Sequence, residues 1–262
     1  MEQQKGYVGS DYLRIVAEIT DHAKKRSYEW MHMEAGHKVL DVGCGPGTDT
    51  MPLATLVGET GQVVGVDYDG AMIDEANGRA NEAGVSAWVK HTKADVTALP
   101  FEDGEFDSCR SERLFQHLLH PDRVLAEMAR VVKRGGWVVV LDTDWGTCST
   151  DTTETDIERR LSRVKAERTL NNGYAGRQLF RLFKRQKLLD ISIGMFPLFV
   201  TDYALGRQGA LLDEVEQEAV ATRVITDDEL KRWHTSLQEA DAEGVFFSSV
   251  CLVMVAGRTP SD

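Results

Sequence analysis

Three glycines in five residues, Gly43, Gly45 and Gly47, stand between a short apolar run, Val39-Leu40-Asp41-Val42, and a segment that reads as a helix over 48–57. Without side chains, such a loop can bring backbone amides close to a ligand beside a helix N-terminus. A second strand over 63–67 ends in Asp67, twenty residues after Gly47. A carboxylate there can accept hydrogen bonds from both hydroxyls of a ribose. Strand, glycine loop, helix, strand and terminal acid together have the context of a nucleotide-binding unit. The alternative is a tight turn with a solvated Asp67.

The alternation continues along the chain. Helical patterns over 71–83 and 121–132 alternate with strands over 87–90, 106–110 and 137–141. Strands separated by helices imply a parallel sheet covered on both faces. Past Trp145 the character changes. The polar stretch over 147–155 reads as a loop, helices are expected over 156–170, 177–187, 203–221 and 226–240, and strands over 189–193 and 249–256. The gap between those last two strands exceeds an ordinary connection and predicts a helical cap. Tyr12, Ile15, Val16, Ile19 and Ala23 recur at helical spacing near the N-terminus. The fold class is therefore α/β, with seven mostly parallel strands, helices on both faces and a helical cap.

Composition narrows the function. Of 262 residues, 42% are hydrophobic and 27% charged, an ordinary globular balance. No apolar run approaches the ~20 residues of a membrane span, and Met1 to Lys5 carry no apolar signal region. A cytoplasmic protein without membrane association is expected. Thirty basic against forty-two acidic residues give a net charge of -12, which opposes nucleic-acid binding. Cys44, Cys109, Cys148 and Cys251 form no Cys-x-x-Cys pair, so neither a zinc cluster nor a disulfide framework is suggested.

The loop departs from the dinucleotide fingerprint G-x-G-x-x-G, because the third glycine comes one residue early, at Gly47. No lysine follows as in a phosphate-cradling NTPase loop. Val39 to Gly47 instead resembles the first motif of the class I S-adenosylmethionine-dependent methyltransferases. Val66-Asp67 with Met72, Ala94-Asp95-Val96 with Leu99-Pro100-Phe101, Phe106-Asp107, and the segment from Leu125 to Trp137 resemble the later motifs in order. The likeness covers about residues 36–145 and is closest to small-molecule methyltransferases of the ubiquinone/menaquinone-biosynthesis type.

The resemblance implies a Rossmann-like single domain over 1–262. Its parts are an N-terminal helical cap (1–35), a cofactor-binding half (36–145) and a C-terminal half (146–262) with a cap insertion at about 197–245. It implies S-adenosylmethionine as cofactor, with no metal. Asp41, Gly43, Gly45 and Gly47 line the methionine and sulfonium end. Asp67 holds the ribose, Met72 packs on the adenine, and Asp95 with the Val96 backbone reads its edge. Arg110 and Ser111 pass beneath the cofactor. A nicotinamide-dependent oxidoreductase and a non-catalytic cofactor-binding regulatory protein are the rival readings.

An acceptor would sit outside the carboxyl ends of strands four and five. His117 has the intrinsic acidity of a general base, with a structural turn residue as its alternative. Asp142 and Asp144 could take a catalytic or anchoring role. Glu112, Arg113, Trp145, Tyr12, Tyr174 and Arg177 are substrate-binding candidates, and Tyr7 is a further aromatic. Ten basic residues between Arg159 and Lys187 face only Glu167 in opposition. They make either a solvated helix face or a cationic wall for an anionic acceptor. The expected partner is a small-molecule acceptor methylated on oxygen, nitrogen or carbon, and the protein a monomer or homodimer.

Overall fold

The computed structural model describes residues 9–261. Tyr7 lies outside them. Seven strands form one sheet: β1 (Lys38–Val42), β2 (Gln62–Asp67), β3 (Val89–Lys93), β4 (Phe106–Glu112), β5 (Val132–Thr150), β6 (Leu189–Val200) and β7 (Ser248–Arg258). Their order is β3-β2-β1-β4-β5-β7-β6. Neighbours from β1 to β5 are parallel, and β7 runs antiparallel to both β5 and β6. Strand order reverses between β1 and β4, the switch point at which open α/β sheets bind ligands.

The central strands are near-continuous apolar runs because both faces of the sheet are covered. Side chains alternate between the faces. Leu40, Val42, Val138 and Val140 join one core with Leu179 and Phe183 of α6 (Ala175–Arg185) and Leu125 of α4 (Pro121–Val131). Val39, Val139 and Leu141 join the other with Ala23 of α1 (Ser10–Trp30) and Leu53 of α2 (Thr50–Val57). Pro121 opens α4 at a first-turn position, where its missing N–H leaves no helix bond unmade. Between β2 and β3 runs α3 (Gly70–Glu82), capped by the Asp69 side chain, which accepts from the Ala71 N–H.

Four expectations are corrected. The stretch over 147–155 is not a free loop. β5 continues to Thr150 because Ser149 and Thr150 pair with Ser249 and Ser248 of β7. The helix expected over 156–170 is α5 (Thr155–Val164) followed by one π-helical turn, Lys165–Thr169. The helix expected over 203–221 breaks into α7 (Tyr203–Ala210) and α8 (Leu212–Ala221) at Leu211, whose φ of 51° is left-handed. β6 also runs on to Val200, so the cap occupies 201–247 and includes α9 (Asp227–Ala242).

The cap has a core of its own. Ile157 and Leu161 of α5 pack with Val215 and Ala219 of α8, Trp233 and Leu237 of α9, and Phe246. Buried Glu216 is satisfied within it, accepting from Trp233 Nε1 at 2.9 Å, lying 2.9 Å from His234 Nε2, and pairing with Arg207 at 2.8 Å. The cap and α1 meet where Tyr12 Oη donates to the Gly209 carbonyl at 2.8 Å. No helix among the described residues is long and apolar enough to cross a membrane.

Candidate active site

The glycine loop is shaped by what it must avoid. Gly43 and Gly47 take φ of 75° and 76°, a region that side chains disfavour. The amides of Gly43 and Cys44 both donate to the Val66 carbonyl, at 2.8 and 3.0 Å, which folds the loop back over β2. A Cβ on Gly47 would lie 2.9 Å from that of Ala76, so this glycine lets α3 close against the loop. At Gly45, where φ is 52°, a Cβ would meet only Leu13 Cδ1, at 3.5 Å, and otherwise project into open cavity. Asp67 braces the same loop. Its Oδ2 accepts from the Gly45 N–H at 2.9 Å and its Oδ1 from the Asp69 N–H at 3.0 Å.

These residues edge a cavity of about 780 Å³, within the size range of cofactor sites. Gly43, Gly45, Asp67, Met72, Asp95 and Val96 line one end. Glu112, Arg113, Gln116, His117, Trp145 and Tyr12 line the other. Asp95 closes a local turn as well, its Oδ1 accepting from the Thr97 amide and hydroxyl at 2.8 and 2.7 Å. Those bonds hold its carboxyl below the usual range. A second, apolar chamber of about 80 Å³ lies beneath α1 and α7 and shares Tyr12, Arg113, Gln116 and Trp145 with the first.

Other predicted residues lie behind the cavity rather than in its lining. Arg110 is fully buried on β4, with Nη1 3.5 Å from Asp41 and 3.2 Å from Asp49, and Nη2 2.9 Å from Glu112. Lys24 of α1 adds a second cation, 2.8 Å from Asp49 and 3.1 Å from Glu112. Burial pushes the Asp41 carboxyl up to about 7 despite Arg110. At Asp49 the burial effect is overcome by Arg110 and Lys24, which hold that carboxyl low. The cluster bolts α1 to the ends of β1 and β4 under the glycine loop. Ser111 is buried, with its hydroxyl lacking a hydrogen-bond partner among the described residues.

Asp142 and Asp144 are corrected for a reason visible in β5. Alternation points both toward α6, whereas Thr143 and Trp145 point to the apolar chamber. Asp142 is fully buried and accepts from the backbone N–H of Gln116 at 3.2 Å and of Thr143 at 2.8 Å. Burial raises its carboxyl to about 7. It fixes the turn Phe115–His117 without reaching the cavity. Asp144 pairs with Arg177 Nε at 2.7 Å, and Arg177 lies over Tyr174, so these three residues form an outer cluster apart from the lining.

His117 does line the cavity. Trp145 Nε1 donates to Gln116 Oε1 at 2.7 Å. That bond turns the Gln116 amide nitrogen toward His117 Nε2, 3.2 Å away, where the amide donates to the ring. Of the ten basic residues between Arg159 and Lys187, Lys165 alone among the described residues lines the cavity. Arg160 is tied to Glu229 and Asp156, and the remainder are exposed on α5, α6 and their flanks. The run is therefore a solvated face, with one inward exception that its sequence did not distinguish. Asp49, Lys24 and Asn171, which lines the cavity and donates to the His117 carbonyl at 2.9 Å, were also missed, since none belongs to a recognisable motif.

A glycine cradle open to a cavity, a strand-end carboxylate beside it and a small apolar chamber beyond fit the sites of a class I methyltransferase. Comparison with known proteins agrees. Residues 40–140 match the methyltransferase domain family. The chain is 33% identical over 247 residues to an uncharacterised 37.1 kDa protein in transposon Tn4556 of Streptomyces fradiae, covering 90% of this chain and 68% of that one. It is 34% identical over 119 residues to the ubiquinone/menaquinone biosynthesis C-methyltransferase UbiE of Saccharophagus degradans, covering 45% of this chain and 48% of the relative. The chain thus spans about half the length of that enzyme. The structure of geranyl diphosphate C-methyltransferase from Streptomyces coelicolor, solved with Mg2+, geranyl diphosphate and S-adenosyl-L-homocysteine, superposes with a TM-score of 0.61 at 17% identity. That match covers 97% of this chain and 86% of the other. The chain belongs to the class I S-adenosylmethionine-dependent methyltransferases, and S-adenosylmethionine is its cofactor.

Proposed function

We propose that the enzyme methylates a small molecule with an apolar body, which enters between α1 and α7. The observation that supports this most is the shared wall: Tyr12, Arg113, Gln116 and Trp145 face both the cofactor cavity and the apolar chamber. The UbiE relative and the geranyl diphosphate enzyme are named for acceptors with apolar bodies, in keeping with that chamber. Bound S-adenosylmethionine would supply an electrophilic methyl group to the acceptor's lone pair.

This chain's residues do the rest. Asp67 takes the ribose hydroxyls, Met72 packs on the adenine, and Asp95 with the Val96 backbone meets its amino edge. Gln116 and Trp145 set the acceptor angle, and positioning supplies much of the rate. His117, in the cavity wall, takes the proton that an oxygen, nitrogen or carbon acid must lose once its Nε2 lone pair is released from the Gln116 amide. Residues 36–145 bind cofactor, while α1 and the cap cover the acceptor. The reading places the enzyme in the cytoplasm, as a monomer or homodimer with no nucleic-acid partner.

Incubation with methyl-tritiated S-adenosylmethionine and a panel of small phenols, quinols and carboxylic acids tests this. Label is expected in a small molecule, with kcat about a hundredfold lower for His117→Gln and KM little changed. Label passing only to protein or RNA would contradict the reading. Hydrogen exchange tests the cover. Amides in α1 and 201–247 should exchange faster than the strands and gain protection with S-adenosylhomocysteine. Equal protection with and without it would exclude a closing lid.

A further inference from the structure

We infer that Lys165 recognises an oxyanion on the acceptor, a carboxylate, phenolate or enolate attached to its apolar body; this rests on the methyl-transfer reading above. Lys165 is 4% exposed. It opens the π-helical turn after α5, a distortion frequent at functional sites. Its Nζ lies 4.5 Å from the centre of the Trp145 ring, and both residues line the cavity.

The contrast with the other buried cations is informative. Lys24 and Arg110 each have carboxylates in contact. Among the described residues, Lys165 Nζ makes no hydrogen bond or ion pair. Glu214 and Cys148 act on it only at longer range, and burial pulls its ammonium down to about 8. A cation–π contact recovers part of the lost hydration, but a buried charge is ordinarily paired. An acceptor oxyanion beside Trp145 would complete the pair where the two chambers meet. The cofactor's own carboxylate is the competing partner, and the test separates the two.

Benzoate and 2-naphthoate, each beside its carboxamide, would be titrated calorimetrically into wild-type protein saturated with S-adenosylhomocysteine, and into Lys165→Met and Lys165→Arg. At least one acid is expected to bind about tenfold more tightly than its amide to wild type. Lys165→Met should lose that preference, Lys165→Arg should keep most of it, and both should hold S-adenosylhomocysteine within about twofold of wild type. No acid-over-amide preference in wild type, or a preference that survives in Lys165→Met, would overturn the inference. A tenfold loss of S-adenosylhomocysteine affinity in Lys165→Met would overturn it too, by placing the ammonium on the cofactor. If wild type itself fails to bind S-adenosylhomocysteine, the methyl-transfer reading is what fails.

Discussion

Asp67→Ala is expected to raise the dissociation constant for S-adenosylhomocysteine about a hundredfold while leaving the melting temperature within about 3 °C of wild type. Two ribose hydrogen bonds to a charged acceptor are lost, each worth about 1.5 kcal/mol or more, and about 3 kcal/mol corresponds to a factor of about 150. The same carboxylate also holds the Gly45 amide, so the loop loses its brace when the ligand loses its partner. Asp67 is only half-buried at the end of β2, and the amides it releases face a cavity that water can enter. That is why folding should be spared. Calorimetry beside thermal unfolding measures both. Unchanged affinity in a folded variant would remove Asp67 from the cofactor site.

Arg110→Met should act in the opposite sense, mainly on stability. It strips the central cation from Asp41, Asp49 and Glu112, whose side chains are at most 10% exposed. Removing one partner of a buried ion cluster costs about 3–5 kcal/mol, about 10 °C in melting temperature for a chain of this size. Asp41 already stands at about 7, and losing Arg110 drives the carboxyls further up. A carboxyl raised in the folded state binds more protons there than in the unfolded chain between its unfolded value, about 4, and its folded value. Its contribution is present at low pH and lost as pH rises through that window. The gap between variant and wild type should therefore shrink from pH 7.5 to pH 5.5. A gap independent of pH would mean that the carboxylates do not feel Arg110.

The glycine loop and Asp67 were legible in the sequence because backbone conformation and strand ends carry local signals. Gly43 and Gly47 sit where the chain needs positive φ, and the apolar runs mark the buried strands. Side-chain direction was the weak link. Asp142 and Asp144 lie at the expected end of β5, but Trp145, named for the pocket, fixes the parity: with period two, its neighbours at 144 and 142 cannot share its face. Arg110 was placed in the right strand and assigned to the ligand, because its partners Asp49 and Lys24 come from α2's entry and from α1, far off in sequence. The Leu211 break and the π turn carry no glycine or proline to mark them in the sequence. Lys165 was hidden among eight outward-facing cations and Arg160, which is tied to the cap.

A crystal structure of the protein with S-adenosylhomocysteine probes the site most directly. The ribose hydroxyls should lie within hydrogen-bond distance of Asp67, the adenine between Met72 and Asp95, and the sulfur should face the space bounded by Gln116, His117 and Trp145. A ligand bound away from the glycine loop, or a sulfur turned from the apolar chamber, would contradict the assignment of cofactor and acceptor sites.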